Sequence, residues 1–261
     1  LGLMFAHATN NLLNDYTDSR RGIDKDNYYR NQYGVHVLED GLMSEGQFWR
    51  YVGVTGGVAL ALGSWLIYQR SGLTMDLMLA GAFFVMFYTW PLKYYGMGEP
   101  AVLLVWGPLM VGGSYYVLAG SWSWSVTWLS LVFALGPTTV LFGKHTDKLE
   151  ADRSKGVNTL PVLLGESLSR YCVLAMVSAQ YLLCIALVLA GSFGWPLLLV
   201  LISLPVLPPL FAVYGKPKPP NPPEDYPQGI WPLWFSAYAF RHTRRFTSLF
   251  LLAVILDTVL A

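Results

Sequence analysis

Hydrophobic positions fall in long unbroken runs separated by short polar or glycine-containing connections, with no strand-like alternation. The runs cover 51–68, 73–90, 101–118, 126–141, 171–190, 195–214 and 246–261. Each is near the ~20 residues that carry a helix across ~30 Å of hydrocarbon. Where a run is shorter, Trp and Tyr flank it, as they do at membrane interfaces. The opening stretch 1–13 adds an eighth run. The pattern predicts an all-α, polytopic transmembrane helical bundle with eight visible spans.

The first run breaks the rule. Within "HATNNLLNDYTDSRRGID", His7, Asn11, Asn14, Asp15 and Asp18 follow i, i+4, i+7, i+8, i+11 and form one helical stripe. Ionisable groups at membrane depth are costly and face the bundle interior or a water-filled cavity, so this stripe is expected to point inward. Carboxylates a turn apart beside amide oxygens are hard oxygen donors, suited to Mg²⁺ rather than zinc or copper.

Composition agrees with a membrane protein: of 261 residues, 54% are hydrophobic and 13% charged. If eight helices alternate in direction, loops 14–50, 91–100, 142–170 and 215–245 share one side. They hold 16 of the 17 Lys and Arg residues, all but Arg70. By the positive-inside rule that side is cytoplasmic, in the inner or plasma membrane of a cell. The same loops hold 14 of the 16 acidic residues, and the opposite connections "AGSWSW" and "AGSFGW" are uncharged, so a polar cap is expected on the cytoplasmic face. Nucleic acid is not an expected partner, because the net charge is only +1 and bases interleave with acids. Cys172 and Cys184 share one apolar run and suggest neither a disulfide nor a metal site.

A second acidic cluster occurs in "GKHTDKLEADRSKGVNTLPVLLGE", where Asp147 and Glu150 fall on one helical face and Asp152 follows. Mg²⁺ is commonly held by one or two carboxylates plus substrate phosphate oxygens. Two acidic clusters with Arg and Lys between them are what a diphosphate bridged by two Mg²⁺ requires, acids binding metal and bases binding phosphate oxygens.

These residues resemble the UbiA superfamily of membrane-intrinsic prenyltransferases, most of all its 1,4-dihydroxy-2-naphthoate polyprenyltransferase branch. "NDYTDSRRGID" is similar to the first signature, N-D-x-x-D continuing to K/R-G-x-D, at Asn14, Asp15, Asp18, Arg21, Gly22 and Asp24. "EADRSKGVNTLPVLLG" is similar to the second, at Asp152, Arg153, Gly156, Thr159, Leu160 and Gly165. The segment from Tyr88 through Pro91, Lys93, Gly98, Gly107, Pro108, Gly112 and Tyr115 resembles the middle of the same branch. The second signature departs from D-x-x-x-D, since Lys148 stands four residues before Asp152 and Asp147 lies one position too early. Either a π-bulge realigns Asp147 or Glu150 replaces it.

The resemblance implies one membrane domain over 1–261, a nine-helix bundle of which the first helix is expected to be missing, and two Mg²⁺ on an isoprenyl diphosphate. It implies prenyl transfer to an aromatic acceptor of the quinone-precursor type, dihydroxynaphthoate first, hence menaquinone or other quinone biosynthesis. Asp15, Asp18, Asp147 and Asp152 are then the catalytic, metal-binding acids, with Asn11, Asn14, Asp24 and Glu150 as further ligands. Arg21, Lys93, Lys148 and Arg153 are the diphosphate-binding residues. His7, Tyr88, Tyr115 and His145 are weaker acceptor or tunnel residues. A terpene cyclase on the same scaffold and a membrane cation transporter are the rival readings.

Three further stretches carry expectations. The breaks "WGPLMVGG" and "LGPTT" either open the wall for a lipid chain or allow close helix contact. "GKPKPPNPPEDYPQG" is an extended polar loop. "IWPLWFSAYAFRHTRR" is expected to lie along the membrane surface before the last helix.

Overall fold

A computed structural model describes residues 1–23 and 37–260. The described residues form helices and no strand; a single isolated bridge joins Tyr95 to Asn158. In order they are α1 (Gly2–Arg20), α2 (Glu45–Gln69), α3 (Leu73–Phe87), a 3₁₀ turn (Leu92–Tyr94), α4 (Gly98–Leu104), a π-helical stretch (Val105–Gly112), and α5 (Gly113–Ala119). Then come α6 (Trp124–Asp147), α7 (Leu149–Ser154), α8 (Leu160–Leu189), a 3₁₀ stretch (Trp195–Val206), α9 (Leu207–Tyr214) and α10 (Phe235–Leu260).

Each of the eight predicted spans is met by a helical element. Five are long and apolar enough to cross a membrane: Glu45–Gln69, Gly98–Ala119, Trp124–Asp147, Leu160–Leu189 and Trp195–Tyr214. The chain is an all-α polytopic bundle. The termini of these helices follow local chemistry. Ser44 and Gln47 form a reciprocal capping box at α2, Ser123 Oγ accepts the Val126 amide at α6, and Gly120, at φ 81°, ends α5 in the left-handed region.

The packed core lies in the C-terminal half, where Val132, Phe142, Val173, Val177, Tyr181, Leu197, Tyr214, Phe235, Phe246 and Phe250 are buried together. Helix α6 is its axis and contacts α4, the π-helical stretch, α8 and α10. α1 packs on α2 and α3. Large apolar side chains such as Trp65, Leu79, Leu118, Trp128, Leu182 and Ile255 point outward, as required of a surface solvated by lipid.

The helix breaks serve close contact. A Cβ on Gly107 would meet the Ser130 carbonyl at 3.2 Å and Ala134 Cβ at 3.1 Å, and one on Gly136 would meet Thr243 Cγ2 at 2.9 Å. Pro108, which lacks an amide donor, sits inside the π-helical stretch.

The surface segment expected at 230–245 is corrected. From Phe235 onward it is the first half of α10, with Phe235, Ser236, Ala239 and His242 buried. Its apolar residues recur at helical spacing and face α6, so its arginines lie only on the outward side.

Candidate active site

The site is built where α1 ends. Asn10 Nδ2 donates to the Val85 carbonyl at 3.1 Å, and Asn14 Oδ1 accepts from Thr89 at 3.1 Å, which turns the polar stripe toward α3. Higher on the stripe, Asn11 Nδ2 is 3.3 Å from His7 Nε2, and the His7 ring stands edge-on to Trp106 at 5.5 Å. At its lower end Asp18 is buried. Lys93 Nζ, also buried, donates to Asp18 Oδ2 at 2.5 Å, and Tyr94 Oη donates to Oδ1 at 3.4 Å. Asp15 is one turn back on the same helix and is partly buried. Arg21 lies over the rings of Trp90 and Tyr94, at 5.0 and 4.8 Å. Asp24 falls outside the described residues.

The second cluster is divided by a kink. α6 stops at Asp147, Lys148 adopts φ −112° and ψ 20°, and α7 begins at Leu149. On one side of the kink Lys148 Nζ meets Asp152 Oδ1 at 2.8 Å, both side chains buried, while Asp152 Oδ2 is buried without a hydrogen-bond partner. On the other side Asp147 is turned to the start of α10. Its Oδ1 accepts the Phe235 amide at 2.9 Å, and its Oδ2 accepts the Ser236 amide at 3.0 Å and hydroxyl at 2.6 Å. Lys218 Nζ is 3.5 Å away. Burial pushes the Lys218 ammonium below its ordinary pKa, and Asp147 opposes that shift.

The expectation that Asp147 and Glu150 share a ligating face is therefore corrected. Asp147 caps α10, and Glu150 is exposed in a surface pair with Arg153 at 2.8 Å. Neither lines the buried cluster, and Arg153 points to solvent with its partner. The physical reason is the break at Lys148, whose non-helical backbone takes Asp147 and Asp152 out of the phase that an unbroken helix would give them. Gly143 makes the capping possible: a Cβ there would lie 2.8 Å from Ser236 N, Ser236 Cα and Tyr214 Oη.

The two signatures then meet. Lys155 Nζ donates to the carbonyls of Ile23 at 2.6 Å and Gly22 at 3.5 Å, and Ile23, Tyr94 and Val157 pack together. They also share one backbone form. Ile23 N bonds Asp18 O at 2.8 Å and Val157 N bonds Asp152 O at 2.9 Å, around Gly22 at φ 68° and Gly156 at φ 71°. Each is a glycine-ended helix cap with an apolar residue after the glycine. "DSRRGI" and "DRSKGV" are thus matching segments from opposite halves of the chain, a likeness already present in the sequence.

Two contributors were not singled out by motif. Lys144, near the end of α6, is close enough to Lys93, Lys148, Asp18 and Asp152 to interact with all four electrostatically. Glu99 is fully buried, with Oε1 2.6 Å from His145 Nδ1 and Oε2 accepting the Leu160 amide at 3.3 Å. The signal available for Glu99 was a lone acid ahead of Pro100 in an otherwise apolar helix start. Tyr88 is in electrostatic range of both Glu99 and Asp18. Tyr115 is in α5, beyond the π-helical stretch that follows α4.

Among the described residues no three His, Cys, Asp or Glu side chains stand close enough to chelate a metal alone. The donors still fit Mg²⁺. They are all oxygens, and one, Asp152 Oδ2, is buried with no partner. Such a site is completed by phosphate oxygens rather than by a protein cage.

A polytopic bundle of helices long and apolar enough to cross a membrane, with the buried pairs Lys93–Asp18 and Lys148–Asp152, defines a multi-pass membrane protein. Residues 1–225 match the UbiA prenyltransferase family, and the chain belongs to it. It is similar to the 2-carboxy-1,4-naphthoquinone phytyltransferase of Synechocystis sp., 30% identical over 200 residues, which are 75% of this chain and 62% of that protein. It is also similar to the UbiA prenyltransferase domain-containing protein 1 homolog of Drosophila melanogaster, 28% identical over 202 residues, 76% of this chain and 55% of that one. The human UbiA prenyltransferase domain-containing protein 1 is 26% identical over 209 residues, 79% and 60% of the two chains. The chain spans less than two thirds of the length of each of these curated relatives.

Proposed function

We propose that this protein transfers an isoprenyl chain from an isoprenyl diphosphate to an aromatic acceptor of the quinone-precursor type, in a Mg²⁺-dependent reaction at the cytoplasmic face of the membrane. The observation that carries the reading is the joining of the two Asp-to-Gly segments through Lys155, with Lys93 on Asp18 and Lys148 on Asp152. The name of the Synechocystis relative favours a naphthoquinone-like acceptor, with dihydroxynaphthoate first. The cytoplasmic assignment rests on the 16 of 17 basic residues gathered on one side.

Asp18 and Asp152, with Asp15 and Asn14, are the residues that would hold Mg²⁺, which when bound would neutralise charge on the diphosphate. Lys93 and Lys148 pair with the buried carboxylates of Asp18 and Asp152. Together with Lys144 they then stabilise the negative charge that grows on the diphosphate as the allylic C–O bond ionises, in a site of low dielectric where fixed cations act strongly. Arg21, held on the faces of Trp90 and Tyr94, sits at the rim, where it can close over phosphate oxygens. Glu99 and His145 tie α4, α6 and α8 together behind the lysines and hold their backbone in place.

The test uses the purified full chain with Mg²⁺, an allylic prenyl diphosphate and a panel of aromatic acceptors, followed by mass spectrometry. Prenylated product and acceptor-dependent diphosphate release are expected. Release at the same rate without acceptor would instead indicate a cyclase. No release, together with Mg²⁺ flux in liposomes, would indicate a transporter.

A further inference from the structure

A second charged feature lies away from this site. Arg241, Arg244 and Arg245 line a cavity of about 540 Å³ on the outer face of α10, together with Ile202, Val206 and Leu249. All three arginines are exposed. Among the described residues no carboxylate pairs with them. The one acid on α10, Asp257, is at the far end of the helix, accepting from the Gly194 amide at 2.7 Å. Arg241 stands three and four residues from the other two, on one helical face, where like charges repel. Such a cluster calls for an anion from outside the chain.

Its depth says which anion. Arg241 is six residues past Phe235, which is bonded to Asp147 beside the active site, so it lies about 9 Å along α10 from that end. From Asp257, at the other surface, to Arg241 is about 24 Å at 1.5 Å per residue. That is close to the ~30 Å of hydrocarbon, and arginine side chains can snorkel the remainder to the phosphate layer. Apart from Ser248 the rest of the wall is aliphatic, Ile202, Val206 and Leu249, on the outer face of the bundle, which suits acyl chains better than a small hydrated ion. We propose that Arg241, Arg244 and Arg245 form a binding site for the head group of an anionic phospholipid on the same side of the bundle as the prenyl-diphosphate site. Basic pockets between spans at the cytoplasmic side are a recurrent form of such recognition.

The test is lipid retention by the purified, delipidated full chain, measured by native mass spectrometry with dioleoylphosphatidylglycerol, dioleoylphosphatidylcholine and soluble glycerol 3-phosphate. Phosphatidylglycerol is expected to be retained over phosphatidylcholine, and glycerol 3-phosphate is expected not to displace it. Replacing the three arginines together by Gln is expected to weaken retention by about a hundredfold, from about fivefold for each basic residue near an anionic surface. Arg50→Gln, an exposed arginine elsewhere, is expected to leave retention unchanged. Should the triple variant not fold, Arg244→Glu alone must show the loss. Equal retention of the two lipids, full retention by the arginine variants, an equal loss in Arg50→Gln, or displacement by glycerol 3-phosphate would each overturn the proposal.

Discussion

Asp147 is the residue at which two roles can be separated by experiment. In the fold it is a cap: it accepts two backbone amides and one hydroxyl at the start of α10, and Lys218 is its nearest cation. Removing an ordinary N-cap costs about 1 kcal/mol. Here the amides are buried and the acceptor is charged, and hydrogen bonds to charged groups are worth about 1.5–3 kcal/mol each. Lys218 keeps other partners, the carbonyls of Asp147 and Pro232, so its share of the loss is small. Asp147→Ala is therefore expected to cost about 3–5 kcal/mol, as for breaking a buried pair. Asp147→Asn keeps one oxygen acceptor and is expected to cost about half of that. At about 2–4 °C per kcal/mol for a chain of this size, the alanine variant should melt about 10 °C lower in detergent at a fixed scan rate. Prenyl transfer by folded Asp147→Asn should stay within about threefold of the parent, whereas Asp152→Asn should lose about a hundredfold if it holds Mg²⁺. Unchanged melting in Asp147→Ala would refute the capping role. Normal melting with a hundredfold loss of activity in Asp147→Asn would make it a ligand after all.

Three further outcomes follow from the same contacts. Gly143→Ala drives a methyl group into Ser236 backbone and Tyr214, where no flexible side-chain end can yield, and should cost about 1–3 kcal/mol; combined with Asp147→Ala in thermal melts, the losses should be less than additive. Lys93→Met takes the ammonium from buried Asp18 and should destabilise by about 3–5 kcal/mol, with the Asp18→Asn/Lys93→Met pair recovering much of the loss; denaturation of both in the same detergent measures it, and an unchanged Lys93→Met would exclude the pair as a stabilising element. Glu99→Gln should lower melting by the worth of one hydrogen bond to a charged group, about 1.5–3 kcal/mol, because Gln retains an acceptor for the Leu160 amide and loses the carboxylate oxygen that meets His145 Nδ1.

Much of the architecture was legible in the chain, because it depends on local periodicity. Apolar runs near the membrane's thickness define the spans. The i, i+4, i+7, i+11 stripe from His7 to Asp18 shows which face of α1 is polar, and the one-sided charge shows where the polar end lies. Both Asp-to-Gly signatures could be found without coordinates, since each is one helix turn and its glycine cap. What no periodicity records is how those segments are paired. The turn at Lys148 sends Asp147 to α10 and Asp152 to the interior, although only four residues separate them. The approach at Gly143 depends on α10, more than ninety residues later in the chain. Lys144 and Glu99 become part of the site only when α4, α6 and α8 close on one another. Helical phase is a property of neighbours in sequence, whereas the partner of a buried charge is chosen by desolvation, which exists only once the distant helices have packed.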